Sequence, residues 1–211
     1  MTYFDFHHHH IQRENGIYNL RFNETVPFGL FSAGIHPNDA GWNIPNQFDW
    51  LEEISKHKNC VAIGECGLDG LIDVNNSIQE DVFNRQIELA NERNKPLIIH
   101  CVRRFSQLIP LKKKAKVPMI VHGFNKRKTV GEELQKHQFY LSFGKTVLHH
   151  VNLQQFVKDF PLEKLFLETD DDDFNLQELY QKVAELKGIT IEELQEKMKE
   201  NLKIFNISTV L

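Results

Sequence analysis

The feature that most limits how this chain can fold is a repeated unit: a short apolar run stops on a histidine or carboxylate, and a stretch of helical period follows. Cys60 to Gly64 leads into Glu65, Leu97-Ile98-Ile99 into His100, Met119-Ile120-Val121 into His122, and Leu165-Phe166-Leu167 through Glu168 and Thr169 into Asp170. Runs this short and this continuously apolar read as strands buried on both faces, which is the habit of parallel sheets. Phe28 to Ile35, ending in Gly34-Ile35-His36-Pro37, and Phe139 to Phe143 read the same way. Helical period occupies 46–58, 78–94, 105–114, 129–136 and 153–160, and two more helices close the chain at 175–187 and 190–205. Capping-box spacing marks two starts, Ser77 to Glu80 and Thr190 to Glu193. Residues 11–27 have no clear period and carry the turn signal Asn15-Gly16, so they read as a loop with at most a short strand at 18–22. Strands alternating with helices imply a parallel sheet with helices outside it. Counting the N-terminal strand, seven strands are visible, and the expected fold is α/β: a closed (β/α) TIM-like barrel, distorted or with seven strands. An open doubly wound sheet is the alternative, but no glycine-rich phosphate loop supports it.

A chain of 211 residues is long enough for one well-cored domain and short for two, so a single domain over 1–211 is expected. No apolar run approaches the ~18 to 20 residues of a membrane span, and no basic-then-apolar leader opens the chain. A cytoplasmic protein without a membrane partner is therefore expected, and no protein partner is evident. Cys60, Cys66 and Cys101 are odd in number and lie in or beside apolar stretches, which suits reduced thiols. The net charge of −4 counts against bulk coating of nucleic acid. It leaves room for an enzyme that meets phosphate locally, through cations and a few arginines.

Near the N-terminus stand four consecutive histidines, His7 to His10, behind Tyr3, Phe4 and Phe6. Such a run resembles an expression tag. This one is short, and the bulky residues before it favour a strand. In a strand, alternate side chains share a face, so His7 pairs with His9 and His8 with His10. Alternation does not choose between the pairs.

A histidine pair, Glu65, His100, His122 and Asp170 all fall at strand ends, the face where barrel enzymes carry their chemistry. A lone histidine ending an apolar strand is most often a satisfied buried residue. Six ligand-type groups in one mouth are another matter, because burying them unpartnered would cost several kcal/mol. The set suits two divalent ions bridged by a carboxylate, and with them metal-assisted hydrolysis.

The stretches F-D-F-H-H-H at 4–9, G-I-H-P at 34–37, A-I-G-E-C-G-L-D at 62–69, I-I-H-C at 98–101, V-H-G-F at 121–124 and L-E-T-D at 167–170 together resemble the TatD-type metal-dependent deoxyribonucleases, a branch of the amidohydrolase-like barrels. The likeness runs from Asp5 to about Asn206. It implies that the pattern D-x-H-x-H selects Asp5, His7 and His9. It further implies that His7, His9 and Asp170 hold one ion, that His100 and His122 hold a second, and that Glu65 bridges them. Asp170 would also orient or deprotonate the attacking water. The implied cofactors are two divalent metal ions, with magnesium implied by the family and zinc or manganese favoured by four imidazoles.

This chain departs from the family in two places. The family carries another strand and helix before G-I-H-P, where only about 25 residues stand here. The usual E-T-D-A-P is Glu168-Thr169-Asp170-Asp171-Asp172-Asp173, whose extra carboxylates read as a solvated acidic loop.

Arg103 and Arg104 follow the His100 strand and suit phosphate, and His36 sits at a strand end as a further substrate contact. Lys126-Arg127-Lys128 follows His122 and is the better nucleic-acid candidate, whereas Lys112 to Lys114 and Lys116 read as solvated. No aromatic residue can be assigned to a cleft. The expected activity is a phosphodiesterase acting on DNA ends or short oligonucleotides. A hydrolase of a small phosphoester, amide or lactone, or a silent metal-binding relative, remains beside it, because fold does not fix function.

Overall fold

The computed structural model describes residues 3–207. Eight strands, β1 (Asp5–His8), β2 (Gly16–Leu20), β3 (Leu30–Ala33), β4 (Cys60–Asp69), β5 (Leu97–Val102), β6 (Met119–Val121), β7 (Tyr140–Phe143) and β8 (Leu165–Leu167), pair in chain order, every neighbour parallel. The circle closes between β1 and β8, where Asp170 N donates to His7 O at 3.0 Å and His9 N to Asp170 O at 3.3 Å. The architecture is the expected TIM-like barrel.

Its strand count is eight, not the seven visible in the sequence. The added strand is β2, in the stretch read as a loop. Its inward side chains are Ile17 and Asn19, so a polar residue interrupts the apolar run that announces the other strands. No helix flanks it either, because residues 9–15 and 21–29 connect β1 to β2 and β2 to β3 without one. The segment before β3 thus holds a strand and no helix. Tyr18 and Leu20 still bury their outward side chains, and Phe22 packs on Trp50 with ring centroids 5.6 Å apart.

From β3 onward each crossover carries a helix: α1 (Ile44–Ile54), α2 (Asn76–Arg93), α3 (Phe105–Leu111), α4 (Lys128–Lys136) and α5 (Val151–Asp159), with α6 (Leu176–Lys187) and α7 (Ile191–Leu202) after β8. The capping box at Thr190 and Glu193 forms as expected and starts α7. At α2 the expected Ser77 box is replaced by Asn75, which accepts from Ser77 N at 2.8 Å, and Glu80 turns to Arg104 instead. Cys60, Cys66 and Cys101 are free and buried. Among the described residues no helix is long and apolar enough to cross a membrane.

Along the inner face the residues climb from apolar to polar in steps of two: Ile17 to Asn19, Leu30 to Ser32, Ile98 to His100, Ile120 to His122, Phe166 to Glu168. The lower members form a closed apolar floor with Phe6, plugged from below by Leu202 and Phe205. Phe6 stacks on Phe166 at 4.4 Å. The upper members form the mouth.

Candidate metal centre

Two strands break register where they deliver ligands. β1 advances three residues, Asp5 to His8, while β2 advances two, Gly16 to Tyr18. The bulge lets Phe6 join the floor while His7 and His9 rise into the mouth, which strict alternation forbids. β4 does the same beside β5, where Ile63 to Cys66 opposes Leu97 to Ile99. Glycines allow it. Gly64, at φ 154°, lies where a Cβ would come 2.4 Å from Ile98 O, and Gly67, at φ 139°, where one would come 2.1 Å from His100 O. Only glycine fits both the dihedrals and the contact, so the G-E-C-G stretch is a steric requirement of presenting Glu65. Glu65 therefore projects from mid-strand rather than from a strand end.

Its carboxylate is the hub. Oε1 lies 2.7 Å from His7 Nε2, 3.0 Å from His9 Nε2 and 3.3 Å from Asn19 Nδ2. Oε2 faces His36 Nε2 at 3.5 Å, His122 Nε2 at 3.6 Å and His100 Nδ1 at 3.9 Å. Asp170 Oδ1 completes the first side, 3.4 Å from His9 Nε2 and 3.7 Å from His7 Nε2. Three groupings offer donors within 4.8 Å of one another: His7, His9, Glu65 and Asp170; His36, Glu65 and His100; His122, Glu168 and Asp170.

Behind these groups lies a second set of carboxylates. Asp69 Oδ2 stands 2.9 Å from His100 Nε2, which frees Nδ1 for the cavity. Glu168 accepts from Ser142 Oγ and Gly123 N and sits 3.6 Å from His122 Nδ1. Asp5 is no ligand. It is fully buried, accepts from Thr169 N at 2.9 Å and Thr169 Oγ1 at 2.7 Å, and binds Arg13, so it ties β1 to the end of β8. A carboxylate hydrogen-bonded as Asp69 is to His100 fixes the imidazole's orientation and raises its basicity toward a cation.

Buried groups of both charge types face one another in this cluster. Burial opposes the charged form of Glu65, yet His122, His7 and His9 hold its carboxyl well below the usual range. Burial likewise opposes a charge on His9, but the hydrogen-bonding carboxylates of Asp170 and Glu65 lift it to about 9. His122 rises against its own burial through the charge of Glu65; its nitrogens stand 3.6 Å from both carboxylates, outside hydrogen-bond reach, so the pull is electrostatic. Burial would raise Asp170, but the His9 bond and the His122 and His7 charges bring it to about 2. Burial, followed by the His100 charge, lowers His36 to about 4. His9 and His122 are thus drawn toward the charged form by carboxylates that are themselves drawn toward ionisation. His7 Nδ1 and both His122 nitrogens remain buried without a hydrogen-bond partner. An enclosed set of nitrogen and oxygen donors of this kind fits divalent cations, which take the place of protons on such groups.

The six residues expected as ligands from the sequence, His7, His9, Glu65, His100, His122 and Asp170, are therefore together. His36, read as a substrate contact, belongs to the same cluster, with Nδ1 accepting from Asn38 N and Nε2 turned to Glu65. Arg104 is no free phosphate reader: it is buried on Glu80 and Asn76. Its partner, 24 residues upstream, gave no local signal. Arg103 is exposed and, like Lys126, Arg127 and Lys128, stands outside the cavity wall. Lys128 faces Asp159 at 3.5 Å. His8 takes the opposite side of β1 from His7, its ring centroid 6.0 Å from that of Tyr18, and burial pushes it down to about 3. His10 joins no metal grouping among the described residues. Asp171 comes within 3.9 Å of His9, Asp172 pairs with Lys145 at 3.3 Å, and both are largely exposed, as an acidic rim.

The cavity over the cluster holds about 570 Å³ and is lined, beside Glu65 and the imidazoles, by Arg21, Phe22, Trp42 and Ile72. Arg21, Phe22 and Trp42 escaped the sequence reading because their segments lack period. Asn19, Asp69 and Glu168 did so because a supporting residue has no spacing of its own.

A parallel barrel with buried imidazoles and carboxylates gathered in its mouth defines the class: a metal-dependent hydrolase. The family described as TatD related DNase matches residues 16–206, and the chain belongs to it. Over 205 residues it is 33% identical to YabD, an uncharacterized metal-dependent hydrolase of Bacillus subtilis, covering 88% of this chain and 80% of that one. Over 156 residues it is 33% identical to the 3'-5' RNA nuclease TATDN2 of Homo sapiens, covering 70% of this chain and 20% of the larger protein. The crystal structure of YJJV, a TatD homologue from Escherichia coli K12, shares the fold with a TM-score of 0.78 at 20% identity, over 90% of this chain and 85% of that one.

Proposed function

We propose that this protein is a phosphodiesterase that acts on DNA ends or short oligonucleotides with two divalent ions. The observation that carries the reading is the two-sided Glu65 carboxylate, with His7 and His9 at one oxygen and His36, His100 and His122 around the other. In this reading His7, His9 and Asp170 hold one ion, His100 and His122 hold the other, and Glu65 bridges them. Magnesium, manganese or zinc so held lowers the pKa of water and offsets charge on phosphoryl oxygens.

The chain's own groups do the rest. Asp170, ionised and 39% exposed at the mouth, accepts the proton of the attacking water at a carboxylate oxygen. Asp69 keeps the His100 ring aimed through its hydrogen bond, and Glu168 places a carboxylate charge beside His122. Arg21, with Nη2 3.4 Å from His9 Nδ1, brings a cation to a phosphate held over the cluster. A second reading, hydrolysis of a small phosphoester, amide or lactone, is favoured by one observation, the acidic rim of Asp171 and Asp172, which repels a long polyanion.

Incubating the metal-loaded protein with end-labelled single-stranded DNA and RNA and with a panel of small esters, with and without chelator, separates the readings. Chelator-sensitive shortening of DNA is expected. Ester turnover without strand shortening would move the assignment to the second reading.

A further inference from the structure

Two aromatic side chains, Phe22 and Trp42, line the same cavity as the charged cluster. Trp42 is 61% exposed at the rim and lines the same space as Glu65 and His100. An exposed indole offers a large flat apolar face of the kind enriched at binding surfaces. This one is held ready. Its backbone is anchored by buried Gln47, which donates to Trp42 O and, at 3.1 Å, to Asp39 O. Its ring is braced edge-on by Phe22 at 6.2 Å, and Phe22 is braced in turn by Trp50 at 5.6 Å. Arg21 lines the same cavity with Nη2 3.4 Å from His9 Nδ1, and the next residue, Phe22, is the one that braces Trp42. An aromatic face, a guanidinium and a candidate metal centre thus share one cavity. Those are the partners suited to a base, its phosphate linkage and the bond to be cut.

We propose that Trp42, braced by Phe22, is a stacking platform for the nucleobase next to the cleaved phosphodiester, so that the site selects single-stranded oligonucleotides over base-free phosphoesters. The inference rests on the phosphodiesterase reading and specifies its substrate. A base in single-stranded nucleic acid presents an open π-face, and stacking on an aromatic side chain accepts any of the bases. The platform thus predicts tolerance of sequence with dependence on a base being present. It also gives a role to the helix-free connection after β2, which supplies Arg21 and Phe22.

The test compares Trp42→Ala with the parent protein, both metal-loaded, on an oligonucleotide and on the same strand with an abasic terminal residue. The parent is expected to prefer the normal strand. Trp42→Ala is expected to raise KM for it about tenfold, the size of one lost base stack, and to leave KM for the abasic strand unchanged. An equal KM for parent and variant on the normal strand overturns the proposal. A second readout needs no turnover. In Trp50→Phe, Trp42 is the sole tryptophan of the chain, which has two. A hydrolysis-resistant phosphorothioate thymidine tetranucleotide should quench its emission, and ribose 5-phosphate at equal concentration should not. Should the protein cut no strand with any metal, the phosphodiesterase reading falls. The emission measurement then still decides the platform: base-dependent quenching upholds it, and its absence overturns it.

Discussion

The floor and the mouth of the barrel occupy the same strands and are built on opposite terms. At the floor, Phe6, Phe166 and Phe205 pack with centroids 4.4 to 5.9 Å apart, and no polar side chain needs a partner. At the mouth, one step of two residues higher, five imidazoles crowd a buried carboxylate, and His7 Nδ1 and both His122 nitrogens go unpaired. The floor contributes free energy of folding, whereas the mouth consumes it until cations arrive. Stability and function are thus separated by height within the barrel, and substitutions at the two levels should fail in different ways.

The largest effect belongs to the mouth. His7→Ala or Asp170→Ala should lower metal-dependent hydrolysis by about 10³-fold or more, the scale on which transition-state charge stabilisation is lost. The thermal midpoint of the metal-free protein should hold steady or rise. Steady-state turnover beside calorimetry checks both halves, and a collapse in the midpoint would erase the distinction. Phe166→Ala, one step below Glu168, should do the reverse. It should cost about 3 to 5 kcal/mol by denaturant unfolding while turnover per folded molecule persists.

Smaller effects sharpen the comparison. Asp69→Asn should weaken metal binding about 10- to 100-fold by titration without disturbing the fold, because Asp69 acts on His100 and not on the ion. The smallest effect concerns His8, on the other side of β1 from the cluster. Its pKa falls from 6.5 to about 3 on folding, through burial and then the charge of Arg13. The unfolded chain therefore takes up a proton that the folded one refuses. The stability His8 contributes is complete above pH 6.5 and is lost as pH falls toward 3. His8→Phe should flatten the fall in metal-free stability between pH 6 and 4 by about 1.4 kcal/mol per pH unit, measured by urea midpoints. An unchanged slope would mean that His8 is not the buried neutral group described.

This difference between levels also explains what could be read from the chain. β5, β6 and β8 were legible because each is an apolar run with no inward polar residue before its ligand, and the period of the helices between them is strong. β2 was not, because Asn19 faces inward to serve Glu65 and no helix follows. The candidate ligand types were legible from their recurrence at run ends, and the resemblance implied the choice of His7 and His9, which the fold brings into one grouping with Glu65 and Asp170. The bulges in β1 and β4 were not, since they answer to neighbouring strands. Arg104 looked free because its partners, Glu80 and Asn76, lie on the preceding helix. Nothing local announces that His36, expected as a substrate contact, also faces an oxygen of Glu65.

The central claim is that Glu65 organises a two-ion mouth that hydrolyses nucleic acid, and manganese content measured beside strand cleavage on one preparation tests it most directly. The account predicts two ions per chain and chelator-sensitive shortening of single-stranded DNA for the parent protein, and at most one ion with no shortening for Glu65→Gln at unchanged fold. Two ions retained by Glu65→Gln, or DNA cleavage by the parent that chelator leaves intact, would contradict it.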